Sequence, residues 1–117
     1  MNNFLLVTML VLITTLTYAN DEKYIATMQK SIDALYKAQD VVSIQSVINT
    51  LERIAAVEKT KWEPQYYIGY GYVMAAFREA DKTKKDSYLD LALEAVTKGS
   101  TLLPNDSSSR HWKDLFT

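Results

Sequence analysis

Cysteine is absent from the 117 residues, so the chain has no disulfide framework, no thiolate nucleophile and no cysteine to carry a lipid. Histidine occurs once, at His111, which leaves a metal site without converging imidazoles and a nucleophilic triad without a partnered base. His111 is expected to be an ordinary surface residue. Glycine is scarce, with three residues, and proline scarcer, with two. There is no Gly-x-x-x-x-Gly-Lys loop for phosphate, and no Asn-Gly hairpin signal. Charge of one sign never accumulates: 13 basic and 14 acidic side chains sum to −1 and are interspersed. Lys82, Lys84 and Lys85 form the one basic cluster, flanked by Asp81 and Asp86. A nucleic-acid surface needs a stronger stripe than that, so no nucleic-acid partner is expected.

Long apolar runs are also missing, except near the N-terminus. Phe4 to Leu16 is apolar but for three threonines, and Thr17-Tyr18-Ala19 follows with small residues at Thr17 and Ala19. Such a run is too short to span a bilayer of ~30 Å as a helix. Together these features predict a signal peptide over residues 1–19, cleaved after Ala19, although no Lys or Arg precedes the run. The chain is then exported, to the periplasm or cell surface, with no membrane span in its mature part.

What is present is helical periodicity. Ile25, Met28, Ile32, Leu35 and Tyr36 form one stripe, predicting a helix from about residue 22 to 38. Asp40 can cap the next helix, whose stripe is Ile44, Val47, Ile48, Leu51, Ile54 and Ala55, ending near Glu58. The third segment opens at Trp62 with Pro64 in its first turn and carries no charge from Tyr66 to Phe77. A helix apolar on nearly every side is one surrounded by other helices. Gly69 and Gly71 inside it each cost roughly 1 kcal/mol of helix propensity, tolerable if a neighbouring helix uses the space. This helix is expected to end near Asp81. Thr83 with Asp86 predicts the cap of a fourth helix. Its buried side comprises Tyr88, Leu91, Ala92, Ala95, Val96, Gly99, Leu102 and Leu103, and Pro104 stops it. The class is all-α: two antiparallel helix pairs over residues 20–106, then a tail over 107–117 in which Trp112, Leu115 and Phe116 can make one capping turn.

Within these helices, Ile68-Gly69-x-x-Tyr72 resembles part of a tetratricopeptide first helix, and Ala92-x-x-x-Val96-x-x-Gly99 with Pro104 resembles part of its second. The separations rule out a strict repeat: Trp62 lies too far ahead of Ile68, and Ala92 too far beyond Tyr72. Tyr24/Met28/Ile32, Leu51-Glu-Arg-Ile-Ala55 and Trp62-Glu-Pro-Gln-Tyr-Tyr67 are together similar to a set of exported tetratricopeptide-like proteins of Bacteroidetes. That resemblance covers Tyr24 to about Asp106. It implies a periplasmic or cell-surface helical module without a known catalytic site, in which the first helix of each pair lines a concave side.

On this reading Trp62, Tyr66, Tyr67, Tyr70 and Arg78 are the candidate partner-binding residues, presenting amphipathic contacts to a protein or peptide. The plainer alternative is that the tyrosines fill gaps between helices. Asp86, Asp90 and Glu94 repeat along one helix face, which is expected to be solvated. No catalytic residue, cofactor or metal ligand is assigned. The expected function is a non-catalytic interaction or scaffold module; the alternatives are a homodimerising structural subunit and a small enzyme with carboxylates in a helical cleft. Cleavage after Ala19 predicts an exported protein starting at Asn20, and its intact mass checks this: retention of residues 1–19 would contradict it.

Overall fold

The computed structural model describes residues 21–104, and these are all-α, with four helices and no strand among them. The helices are α1 (residues 21–37), α2 (Val41–Val57), α3 (Glu63–Arg78) and α4 (Lys82–Leu102). The signal peptide and the capping tail expected from the sequence lie outside the described residues. The chain divides into two compact units, residues 1–30 and 31–117. In the first, Met28 is buried and Ile25 is 54% exposed, so Ile25 is not part of the buried stripe. Everything below concerns the second.

α2 forms as its pattern predicts. Asp40 is extended and its carboxylate accepts from the Ser43 amide at 2.6 Å, satisfying one of the donors that a helix start leaves open. Ile44, Ile48 and Leu51 are fully buried, while Val47, Ile54 and Ala55 are half-buried beside them. Burying a side chain of this size stabilises by about 1.5–3 kcal/mol.

α3 is the inner helix, packed against both α2 and α4. Its glycines show how. Gly69 and Gly71 lie two residues apart, about 200° around a helix of 3.6 residues per turn, so they face nearly opposite ways. A Cβ on Gly69 would sit 2.9 Å from Val96 Cγ2 and 3.3 Å from the Ala92 carbonyl, both on α4. On Gly71 it would sit 2.8 Å from Ile48 Cγ1 of α2 and 3.4 Å from Leu35 Cδ1 of α1. Neither glycine has a positive φ, so both are used for space and not for backbone freedom. Pro64, Ile68, Ala75 and Ala76 complete the buried surface of α3.

α4 meets α3 through small residues: Ala92, Ala95 and Gly99 are buried. A Cβ on Gly99 would lie 3.2 Å from Gln65 Cβ and 3.6 Å from the Trp62 carbonyl. With Gly69 beside Val96, this fixes α3 and α4 as antiparallel. Pro104 terminates α4 by holding Leu103 extended, as a residue before proline prefers.

Besides Ile25, further expectations are corrected. α3 ends at Arg78 and not at Asp81, and α4 is capped by Asp81, whose carboxylate accepts from the Lys84 amide at 3.1 Å, and not by Thr83. A carboxylate is the stronger acceptor at a helix start, where the dipole favours negative charge, and taking Asp81 for that role forces residues 79–80 out of α3. Tyr36 and Leu91, assigned to buried stripes, are 59% and 37% exposed. The buried stripe of α4 is a narrow line of small residues, leaving Leu91 at its edge.

Gly69→Leu and Gly71→Leu should each lower unfolding free energy by about 1–3 kcal/mol through overpacking, measured by urea denaturation; an unchanged midpoint would remove the glycines as contact points. The Ser43 amide and hydroxyl hold the Asp40 carboxyl below its usual range, with a smaller contribution from Arg78. A depressed carboxyl stabilises above its unfolded value of about 3.9 and loses that contribution as pH falls through the folded one. Asp40→Ala should therefore lower Tm at neutral pH, and the gap from wild type should close in acid.

Candidate aromatic interaction site

The N-terminal half of α3 places its tyrosines by simple geometry. Tyr66 and Tyr70 are one turn apart, and Tyr67 is a neighbour on the side towards α1. The rings meet edge to face. Trp62 and Tyr66 have centroids 6.0 Å apart, Tyr66 and Tyr67 4.9 Å, and Tyr70 and Tyr36 of α1 5.7 Å. Edge-to-face pairs of this kind add about 0.5–1.5 kcal/mol beyond area burial and hold each ring rigidly. Trp62, Tyr66 and Tyr67 are half-buried and Tyr70 is 37% exposed, so the cluster is neither core nor freely solvated.

Tyr67 reports the character of this patch. Burial pushes its phenol above the ordinary tyrosine range, with further contributions from Tyr36, Tyr66, the Glu63 carboxylate and Tyr70. These contributions come from neighbouring residues of α3 and from Tyr36 of α1. Glu63 also lies in the first turn of α3, where the helix dipole favours an anion. The patch combines stiff apolar rings, phenol hydroxyls and a carboxylate at its end.

Of the five residues expected to bind a partner, the structure brings Trp62, Tyr66, Tyr67 and Tyr70 together. Arg78 lies at the other end of α3, where its Nη1 donates to the Gln39 carbonyl at 2.6 Å. It ties the end of α3 to the α1–α2 connection. Tyr36, which the sequence pattern assigned to the core, joins the cluster instead; its place at the margin of the α1 stripe was the one available signal.

Depressions also lie among the described residues. A shallow groove of about 470 Å³ is lined by Val41, Val42, Gln45, Ser46, Asn49 and Tyr88, with Tyr88 stacked on Tyr72 at 6.2 Å. A small cleft of about 50 Å³ brings Glu52 near Glu94 and Lys98. Glu52 and Glu94 are both exposed, and Glu94 pairs with Lys98 at 3.2 Å, which is not the desolvated, partnered setting of a general acid and base. Among the described residues no three acidic or histidine side chains group to hold a metal ion, and no helix is long and apolar enough to cross a membrane. No family model, curated protein or solved structure matches this chain.

The raised Tyr67 phenol sets the sign of an alkaline effect. An acid whose folded pKa is raised leaves stability intact below its unfolded value of about 10 and removes it as pH rises towards the folded one. Absorbance titration of tyrosinate should show a late-titrating component that Tyr67→Phe removes. Uniform titration of all tyrosines would contradict the crowded patch.

Proposed function

We propose that this protein is a non-catalytic interaction or scaffold module that acts after export, in the periplasm or at the cell surface, and takes a protein or peptide on its tyrosine face. The observation that carries this reading is the ring cluster of Tyr36, Tyr66, Tyr67 and Tyr70, with Trp62 at its end. Tyrosine offers a large contact area with few rotors to freeze and a hydroxyl that accepts or donates, which is why it recurs at binding hot spots. Holding these rings in edge-to-face contact, Trp62 with Tyr66, Tyr66 with Tyr67 and Tyr36 with Tyr70, lowers the ordering cost that a partner would otherwise meet. The resemblance to exported tetratricopeptide-like proteins supports the same surface, since α1 and α3 are the first helices of the two pairs.

Selection of a displayed peptide library on the full chain tests the proposal. Tyr36 and Tyr70 are exposed enough to be changed without opening the core. Selected peptides should bind Tyr36→Ala/Tyr70→Ala roughly tenfold or more weaker, a loss of about 1.4 kcal/mol or more. Equal binding by the double variant, or no enrichment by the wild type, would contradict it.

A further inference from the structure

Tyr72 follows Tyr70 by two residues, about 200° around α3, so it points away from the tyrosine face. Its ring stacks on Tyr88 of α4, with centroids 6.2 Å apart and planes at 22°. Because α3 packs on both α2 and α4, this arc of α3 forms the floor between them. The stacked pair divides the space above that floor. Tyr72 lines the small cleft with Glu52 and Glu94, whereas Tyr88 lines the groove of about 470 Å³ with Val41, Val42, Gln45, Ser46 and Asn49 of α2. Tyr72 takes no part in the groove wall, so Tyr88 covers it and turns its own outer face to the groove.

The chemistry of this wall names the class of ligand. None of its residues is ionised at neutral pH, so phosphates, carboxylates and amines find no counter-charge there. What it offers is neutral hydrogen bonding. Gln45 Nε2 donates to Asn49 Oδ1 at 3.0 Å, one turn along α2. That bond orients both amides and leaves the Gln45 carbonyl as an acceptor and the Asn49 amino group as a donor. The Ser46 and Tyr88 hydroxyls can do either. Val41 and the 80% exposed Val42 add apolar contact. A sugar matches all of these features. Its C–H face packs on the negative face of an aromatic ring, and its hydroxyls, each donor and acceptor at once, pair with oriented amides. The volume lies within the roughly 300–1,000 Å³ of small-molecule sites. An extended peptide matches less well, because its backbone needs a regular row of partners and this wall has amides at one turn only.

We propose that this groove binds a neutral β-1,4-linked oligosaccharide, with one sugar ring seated on Tyr88 and its hydroxyls bonded by Gln45 and Asn49. A β-1,4 chain is a flat ribbon whose hydroxyls point sideways and whose C–H bonds point up and down. It therefore lies in a shallow groove with its edge on α2 and its face on Tyr88. The site and the tyrosine face occupy opposite arcs of α3, so one domain can hold a saccharide and a protein together.

Calorimetric titration of the full chain with cellohexaose and chitohexaose tests the proposal. At least one should bind. Asn49 is exposed, so Asn49→Ala leaves the core intact and should weaken that binding about tenfold. Tyr88→Phe keeps the stacked ring and should retain binding, whereas Tyr88→Leu should lose it. Saturation-transfer NMR should place sugar C–H protons against the Tyr88 ring. Binding of neither saccharide, binding that survives both Asn49→Ala and Tyr88→Leu, or a preference for capped hexaglycine over both saccharides would overturn the proposal. Tyr36→Ala/Tyr70→Ala should leave saccharide affinity unchanged, so the tyrosine-face reading stands or falls separately.

Discussion

The close approach of three helices to α3 is the constraint on which this structure depends. An inner helix must be thin where its neighbours press on it, and α3 is thin on two opposite sides at Gly69 and Gly71. On one side Val96 and the Ala92 carbonyl occupy the space that a side chain would need; on the other, Ile48 and Leu35 do. The propensity cost of two glycines, roughly 1 kcal/mol each, is offset by the burial of fully covered residues such as Ile68, Ile48 and Leu35. α4 answers with Ala92, Ala95 and Gly99, so that contact is backbone against backbone.

The exposed aromatic and apolar surface of α3 follows from what that packing leaves over. With two sides of α3 turned to its neighbours, Tyr72 stacks on Tyr88 of α4, whereas Tyr66, Tyr67 and Tyr70 take the remaining arc. There they meet Tyr36 from α1 and form a stiff cluster. Towards α4 the same arc continues into Val73 and Phe77 and then onto Leu89 and Leu93. One inner helix therefore generates the tyrosine face and the apolar surface continuous with it.

Much of this was legible in the sequence because it depends on local pattern. The α2 stripe, the cap at Asp40, the stop at Pro104 and the crowded setting of α3 each follow from residue type and spacing. The end of α3 was not legible, because Glu79 and Ala80 are good helix formers. What ends the helix is the competing use of Asp81 as the cap of α4. Tyr36 and Leu91 were misassigned because periodicity gives the centre of a buried stripe but not its width, which depends on how closely the next helix approaches. Arg78 shows the same limit: its partner is the Gln39 carbonyl, far away in sequence and invisible to spacing rules.

Native-state amide hydrogen exchange tests the central claim most directly. If α3 is clamped on both sides, the amides around Gly69 to Ala76 should exchange only through global unfolding and be the slowest in the chain, with those of α4 opening at lower free energy. Exchange of the α3 amides by local opening, ahead of α2 and α4, would show that the glycines loosen the helix instead of seating it, and would contradict the account.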